Sequence, residues 1–449
     1  MIDRRRLLMG SVAGTAALAA PAPAAPLQAP PRGLDAAQLG VRANVTDDQS
    51  AKLQRAIDLA ARQRLPLWLG PGVYRAGGLK LAAGSQLVGV SGATLITFGQ
   101  GDSLFAADHA DNVSLSGLTL DGGGRPLPEN RGLVNFAHAR KLRLTDCEIV
   151  RAGGNAISLD SCDGEVGHNT ISGAADNAVF SNDSRGLIIA ANVIRGSGNG
   201  GIRVWQSEKR RDGSLVVNNR IDDTAAKAGG SGQNGNAINV FRAANVIVRG
   251  NVIRKAAFSA IRGTAASHIQ IIGNSCFHLD EVAIYSEFEF EDAVIADNVV
   301  DEAAYGISVT NFKEGGRLAT VRGNIVRNLR ARIPGTDPDT EGVGIGVEAD
   351  TAVTGNIVEN AENAGIAAGW GEYLRNVTVT GNVVRACGIG VGVSVVAGAG
   401  TAVIANNMLT AVKRGAILGM EWHKAVTGDL ALAGAERYPQ LKISGNQVD

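Results

Sequence analysis

The chain has 449 residues, 45% of them apolar, 59 of them Gly and only 4% aromatic. That composition suits a repetitive architecture better than one large globular core. Lysine plus arginine and aspartate plus glutamate number 43 each, so no net charge draws the chain to nucleic acid or to an anionic membrane.

Residues 1–24 read as a secretory signal. Arg4, Arg5 and Arg6 precede an apolar run from Leu7 to Ala20 that is too short for a bilayer span, and Ala22-Pro23-Ala24 offers a small-x-small cleavage site. The form Asp3-Arg4-Arg5-Arg6-Leu7-Leu8 resembles the twin-arginine type, with Asp3 standing where Ser or Thr is usual. It implies a periplasmic or secreted protein exported already folded. No later run is long and apolar enough to span a membrane. Residues 25–44 read as a linker and 45–449 as a single domain.

Within 45–64 a helix is expected. Thr46-Asp47-Asp48-Gln49 looks like a capping box, and Leu53, Ile57 and Ala60 fall on one face that can plug the first coil. From there a phrase of the form V-x-G-N-x-V recurs, centred on Asn169, Asn192, Asn219, Asn251, Asn274, Asn298, Asn324, Asn356, Asn382, Asn407 and Asn446. A period near 25 residues means stacked supersecondary units. About ten residues after most of these Asn comes a small-Ile-x-Val-x strand, so each coil holds about three short strands separated by Gly/Asn turns. The Asn is expected to take the left-handed backbone geometry where one strand bends into the next. The architecture is an all-β solenoid, a parallel β-helix; a leucine-rich horseshoe would need the L-x-x-L-x-L signature, which is missing.

Cys147, Cys162, Cys276 and Cys387 show no CxxC spacing and no pair at equivalent repeat positions, so they read as buried thiols. The segment 419–440 breaks the period as an irregular insertion that covers the far end. The oligomeric state is not legible.

The stretch TDDQSAKLQRAIDLAARQRLPLWLGPGVYRAGGLKLAAGSQLVG, with its Pro71-Gly72-Val73-Tyr74 turn, resembles the opening of the pectate-lyase-like right-handed β-helix superfamily. The remainder is similar to twin-arginine-exported alphaproteobacterial β-helix repeat proteins. In such folds the strand corresponding to small-Ile-x-Val-x and its flanking loops form a saccharide groove, and that is what the resemblance implies here.

On that strand the residues between Ile and Val point outward. One outward row reads Ser158, Phe180, Arg203, Asn239, Arg262, Tyr285, Ser308 and Gly346. The other reads Asp160, Asn182, Trp205, Phe241, Thr264, Glu287, Thr310 and Glu348. Two long inserts, 222–235 and 327–342, fall on the same side, as walls of a binding face do. A uronan lyase needs a base near the sugar C5 and positive charge at the carboxylate. Arg262 or Tyr285 is the candidate base, with Glu287 beside them. Arg203, Trp205, Asn239, Phe241, Asn182 and Glu348 are the candidate binding residues. For a hydrolase the candidate carboxyl pair is Glu287 and Glu348, roughly 10 Å apart by stacking, at the loose end of the inverting range.

The run EFEFED at 287–292 alternates Glu287, Glu289 and Glu291 to one side, which raises calcium, but too few oxygens are supplied and a solvated turn with two tucked Phe is the reading. The sequence establishes no cofactor, and Ca2+ is the ion it suggests. The six histidines read as scattered, without a metal-ligand pattern. The expected function is therefore an exported β-helix that binds an acidic polysaccharide and cleaves it by β-elimination if it is an enzyme. The alternatives are a non-catalytic glycan- or protein-binding β-helix and a periplasmic accessory factor in metalloenzyme maturation, which would need a cluster of metal ligands.

Overall fold

A computed structural model describes residues 33–230, 232–330 and 340–449. The signal segment expected at 1–24 lies outside the described residues, as do 331–339 of the second insert.

Every coil gives one strand to each of three sheets, of 16, 15 and 15 strands, and the whole is an all-β solenoid of about 14 turns. The first sheet takes the V-x-G half of the repeat phrase, as in Leu142–Thr145; the second takes the residues after the Asn, as in Glu148–Val150; the third takes small-Ile-x-Val-x, as in Asn155–Asp160. Coil-to-coil pairing is parallel and in register, so Ile202, Ile238, Ile261, Ile284, Ile307, Ile345 and Ile366 stack directly, each fully buried. Neighbouring coils cover each other's apolar positions, which is why the repeat works with few aromatic side chains in its interior, Phe105, Phe136 and Phe290 among them.

The ladder of Asn residues differs from the expectation. The left-handed conformation belongs to the residue before each Asn, at Gly250, Gly273, Gly323, Gly355 and Gly381 and, without glycine, at His168, Ala191, Asn218, Asp297 and Asn406. The Asn itself turns inward and is buried from Asn169 to Asn407, with Asn446 at the end of the chain half-buried. Its Nδ2 donates to Oδ1 of the next ladder Asn at 2.9–3.0 Å, without a break from Asn169 to Asn446. The main-chain N–H of each donates to that same oxygen, as Asn251 does to Asn274 at 3.0 Å. A bent corner leaves backbone groups that no sheet can satisfy, and a side-chain amide with both donor and acceptor satisfies them while passing the pattern on. Cys147 holds the equivalent place one coil earlier, where its N–H donates to Asn169 Oδ1 at 3.0 Å.

The helix runs from Ser50 to Gln63 and buries Leu53, Ala56, Ile57 and Ala60 against the first coil. The capping box does not form. Gln49, at the N-cap, makes no side-chain cap bond; it is buried, accepting from Arg42 N and donating to Asp47 O, and Asp48 Oδ1 takes the Ser50 N–H instead. Leu34–Asp35, inside the span read as a linker, pair with Leu67–Trp68 as the first strand. At the other end Gly415–Glu421 continues the third sheet and Lys424–Asp429 folds back on it antiparallel, closing the sheet inside the segment expected to be irregular. All four cysteines are free and buried. Burial pushes the Cys147 and Cys276 thiols up to about 12 and Cys162 to about 11, so they are unreactive at neutral pH.

Candidate functional site

The outward rows of the third sheet form as the alternation requires: Arg203 pairs with Asn239, Asn239 with Arg262, Arg262 with Tyr285, and one place on, Trp205 with Phe241 and Thr264 with Glu287. A concave strip runs along this face. One cleft of about 640 Å3 is lined by Arg203, Trp205, Asn234, Phe241, Glu287 and Phe288 among others; a second, of about 620 Å3, lies toward the N-terminal end and shares Trp205 as its rim. The insert 222–235 walls the first through Gly232, Gln233 and Asn234, and the turn at Glu129–Arg131, which precedes the regular repeat phrases, walls the second.

The most distinctive group is aromatic. Trp205 stands between Phe180 and Phe241, ring centres 5.6 and 5.5 Å away, all three half-exposed. Its indole N–H donates to Asn239 Oδ1 at 2.9 Å, which sets the ring upright. Arg203 lies over the ring at 5.0 Å. Arg203 is buried, and its Nη2 donates to Asn234 Oδ1 at 2.6 Å, but it pairs with no carboxylate and its Nε has no partner among the described residues. Burial pulls its pKa below the usual guanidinium range. A desolvated cation with a free donor, opening onto a cleft, is a place where an anionic group would gain. Asn239 is itself buried, and its Nδ2 donates to Gly232 O at 3.0 Å. It holds the loop and the Trp rather than facing solvent. Asn182 sits on the N-terminal cleft, hydrogen-bonded to Asp183.

The three residues named for chemistry are already engaged with one another. Arg262 Nε and Nη2 meet Glu287 Oε1 and Oε2 at 2.7 and 3.0 Å, Nη1 lies 3.3 Å from Glu281, and its guanidinium covers the Tyr285 ring at 4.9 Å. Thr264 donates to Glu287 at 2.7 Å. Although burial works against its charge, the hydrogen bonds and charge of Glu287, with Glu281 behind it, hold the Arg262 pKa above its ordinary value. Arg262 is therefore a fixed cation, and reading it as a base fails on this geometry. Tyr285 is pushed by burial up to about 12, so its phenol stays protonated at neutral pH. Glu287 and Glu348 do not face each other as a hydrolase pair, because Glu287 is turned into Arg262. The EFEFED run also folds otherwise than alternation predicts: Glu287 stays on the outer face, covered by its contacts with Arg262, and Phe288 and Glu289 both have positive φ, so that Phe290 is buried, Phe288 is exposed on the cleft, Glu289 meets Lys209 and Glu291 meets Arg317.

Glu348 borders a smaller recess with Tyr305, Ser308, Thr310 and Trp370. It is buried, accepts the Phe312 N–H at 2.7 Å, and burial pushes its pKa to about 7. The sign follows from linkage: a carboxyl raised from 4.5 to about 7 on folding binds more protons folded than unfolded, so it costs stability as pH rises through that window. Glu348→Gln keeps an acceptor for Phe312 N–H and removes the charge. Urea midpoints from pH 5 to pH 8 are expected to fall less steeply in Glu348→Gln than in the parent; equal slopes would refute the assignment. Further along, Trp370 and Trp422 meet at 5.7 Å, so three of the four Trp of the chain border this one face.

Sequence comparison adds two family models. Residues 94–221 match the model for a right-handed beta helix region, and residues 226–436 match the one described as periplasmic copper-binding protein (NosD). With three parallel sheets wound coil on coil, these decide the class. The chain is a right-handed parallel β-helix repeat protein. This β-helix superposes on the N-terminal fragment of gene product 12 of bacteriophage phi29 with a TM-score of 0.60 and 14% identity, over 88% of this chain and 73% of that one. For the catalytic unit of a GH87 α-1,3-glucanase from Streptomyces thermodiastaticus the values are 0.52, 15%, 93% and 69%. For the A-module of the mannuronan C-5 epimerase AlgE6 of Azotobacter vinelandii they are 0.50, 14%, 93% and 99%. At such identities the likeness is one of fold. A search of curated proteins returns no match for this sequence. No described helix is long and apolar enough to cross a membrane.

Proposed function

We propose that this β-helix is exported and binds an acidic polysaccharide along the outer face of its third sheet. The observation that carries the reading is Trp205, flanked by Phe180 and Phe241 and overlaid by a buried Arg203 that forms no ion pair among the described residues, at the junction of two clefts. Aromatic faces stack on sugar rings, and the guanidinium fork meets a uronate carboxylate. Two neighbours in fold, an α-1,3-glucanase and a mannuronan C-5 epimerase, are by their names carbohydrate-active, which agrees with this use of the face. Binding is better supported than cleavage by β-elimination, because Arg262 and Glu287 neutralise each other and Tyr285 keeps its proton. The copper-binding description is not carried over: among the described residues, the matched span 226–436 brings no three metal-ligating side chains together.

Calorimetry with uronans and neutral glycans, and absorbance of unsaturated uronate products in parallel, tests this. Binding of a uronan is expected without new absorbance. Trp205→Ala and Arg203→Ala are each expected to weaken it by at least about 30-fold, the loss of a central anchor worth roughly 2 kcal/mol. Equal affinity for neutral glycans, or variants that bind as the parent does, would overturn the proposal.

A further inference from the structure

The corner that follows the third sheet carries a second group of residues, on the rim of the N-terminal cleft. Phe105–Asp108 and Gly132–Ala137 are adjacent strands with Asp108 opposite Ala137, so the next residues, His109 and His138, come one above the other. Both have positive φ, near 50°, which throws their side chains outward at the bend. Their rings lie parallel with centres 4.4 Å apart. Asp108 Oδ1 is 3.0 Å from His138 Nδ1 and 3.7 Å from His109 Nε2. One donor atom from each of the three residues falls within 4.8 Å of the other two, the one such group among the described residues.

We propose that Asp108, His109 and His138 bind a divalent transition-metal ion of the kind that prefers imidazole, Zn2+ or Cu2+. The donor set is two nitrogens and one carboxylate oxygen, which suits these ions and not Ca2+ or Mg2+, whose shells are built of oxygen. Donors sharing an ion at about 2.0–2.2 Å stand roughly 3–4 Å apart, close to the spacings here, and the two stacked rings must turn out of parallel for their in-plane lone pairs to meet on one ion. The side chains are 75%, 48% and 68% exposed for His109, His138 and Asp108, so they rotate freely and an ion has direct access. Three protein ligands leave positions for water, open toward the cleft that Asp108 and His138 line. The ion would add positive charge to the end of the groove where Asp108, Glu129 and Asp160 gather.

The group lies outside the span matched by the copper-binding family model, so it rests on these residues alone. The fold also supplies its own controls. His268 with Asp292, at 2.8 Å, and His278 with Glu302, at 2.5 Å, repeat the arrangement of one His against one carboxylate, without a second imidazole.

The test is titration of the untagged mature chain with Zn2+ and with Cu2+ against a competing chelator, with electron paramagnetic resonance of the Cu2+ form. One ion per chain is expected, Cu2+ the tighter, with nitrogen couplings in its spectrum and affinity that falls as the histidines protonate in acid. His138→Ala and His109→Ala are each expected to weaken binding at least about 100-fold, beyond the usual 10–100-fold loss for an outer-shell partner. His268→Ala and His278→Ala should leave it unchanged. These side chains are exposed, so circular dichroism should be the same for all the variants. Binding that survives His138→Ala, or that falls equally in His268→Ala, would overturn the site.

Discussion

Glu287→Ala is expected to destabilise the β-helix by about 3 kcal/mol or more, the usual result of removing one partner of a buried ion pair. The side chains of Arg262 and Glu287 are 8% and 3% exposed, and two charge-assisted bonds join them. Without Glu287 the guanidinium loses its two shortest contacts to a carboxylate, with Glu281 at 3.3 Å remaining, and Thr264 loses its acceptor. Urea denaturation with an unchanged slope measures the loss; a shift below about 1 kcal/mol would show that water reaches the pair after all. The informative companion is Arg262→Met with Glu287→Leu and Glu281→Gln, which removes the guanidinium together with both carboxylates that face it and nearly keeps the volume. Such exchanges are neutral or stabilising in several buried pairs, so this variant should fold with close to parental stability. It separates two roles that a single substitution confounds. If it still binds a uronan, the pair is scaffold beneath the groove and Arg203 is the recognising cation. If it folds and no longer binds, recognition runs through Arg262 and the proposed site shifts along the sheet by two coils.

That ambiguity shows how far the outward face can be read from the sequence. Period-two alternation places Arg203, Trp205, Arg262, Tyr285 and Glu287 on one face, and the parallel register puts them where alternation requires. Alternation says nothing about diagonal neighbours. Arg262 and Glu287 occupy different rows and adjacent coils, and their contact depends on side-chain length and on the bend that Phe288 and Glu289 introduce by both taking positive φ. The metal-ligand group was hidden for a related reason. His109 and His138 are 29 residues apart, and the first coils precede the regular V-x-G-N phrases, so the period that aligns the later coils does not align these. The signal lay in Phe105-x-x-Asp108-His109 set against Val134-x-x-Ala137-His138, one strand and its corner repeated. The Asn of the repeat was legible as a turn marker but not as a ladder, because its function is a relation between coils and each phrase shows only one member.

Asn274→Ala is expected to cost a similar amount, about 3 kcal/mol, though its target is a coil junction rather than a pair. Asn274 Oδ1 accepts from both Asn251 N and Asn251 Nδ2, its Nδ2 donates to Val248 O and Asn298 Oδ1, and all these distances are 3.0 Å. Alanine leaves the Asn251 N–H buried without an acceptor and the Val248 carbonyl without this donor, at about 1–3 kcal/mol for each such group. Asn251 Nδ2 retains Val216 O, which limits the damage. Asn274→Asp sharpens the test, since a carboxylate still accepts from Asn251 but cannot donate, and it sets negative charge against the oxygens of Asn298 and Val248. At neutral pH it should be worse than Asn274→Ala, and it should recover in acid, where a protonated carboxyl regains one donor. Because each coil touches only its neighbours, hydrogen exchange should quicken at the Asn251 and Asn274 corners and stay unchanged near Asn382 and Asn407. A loss spread evenly along the solenoid would mean that the amides form one cooperative chain, each bond strengthened by the alignment of the rest.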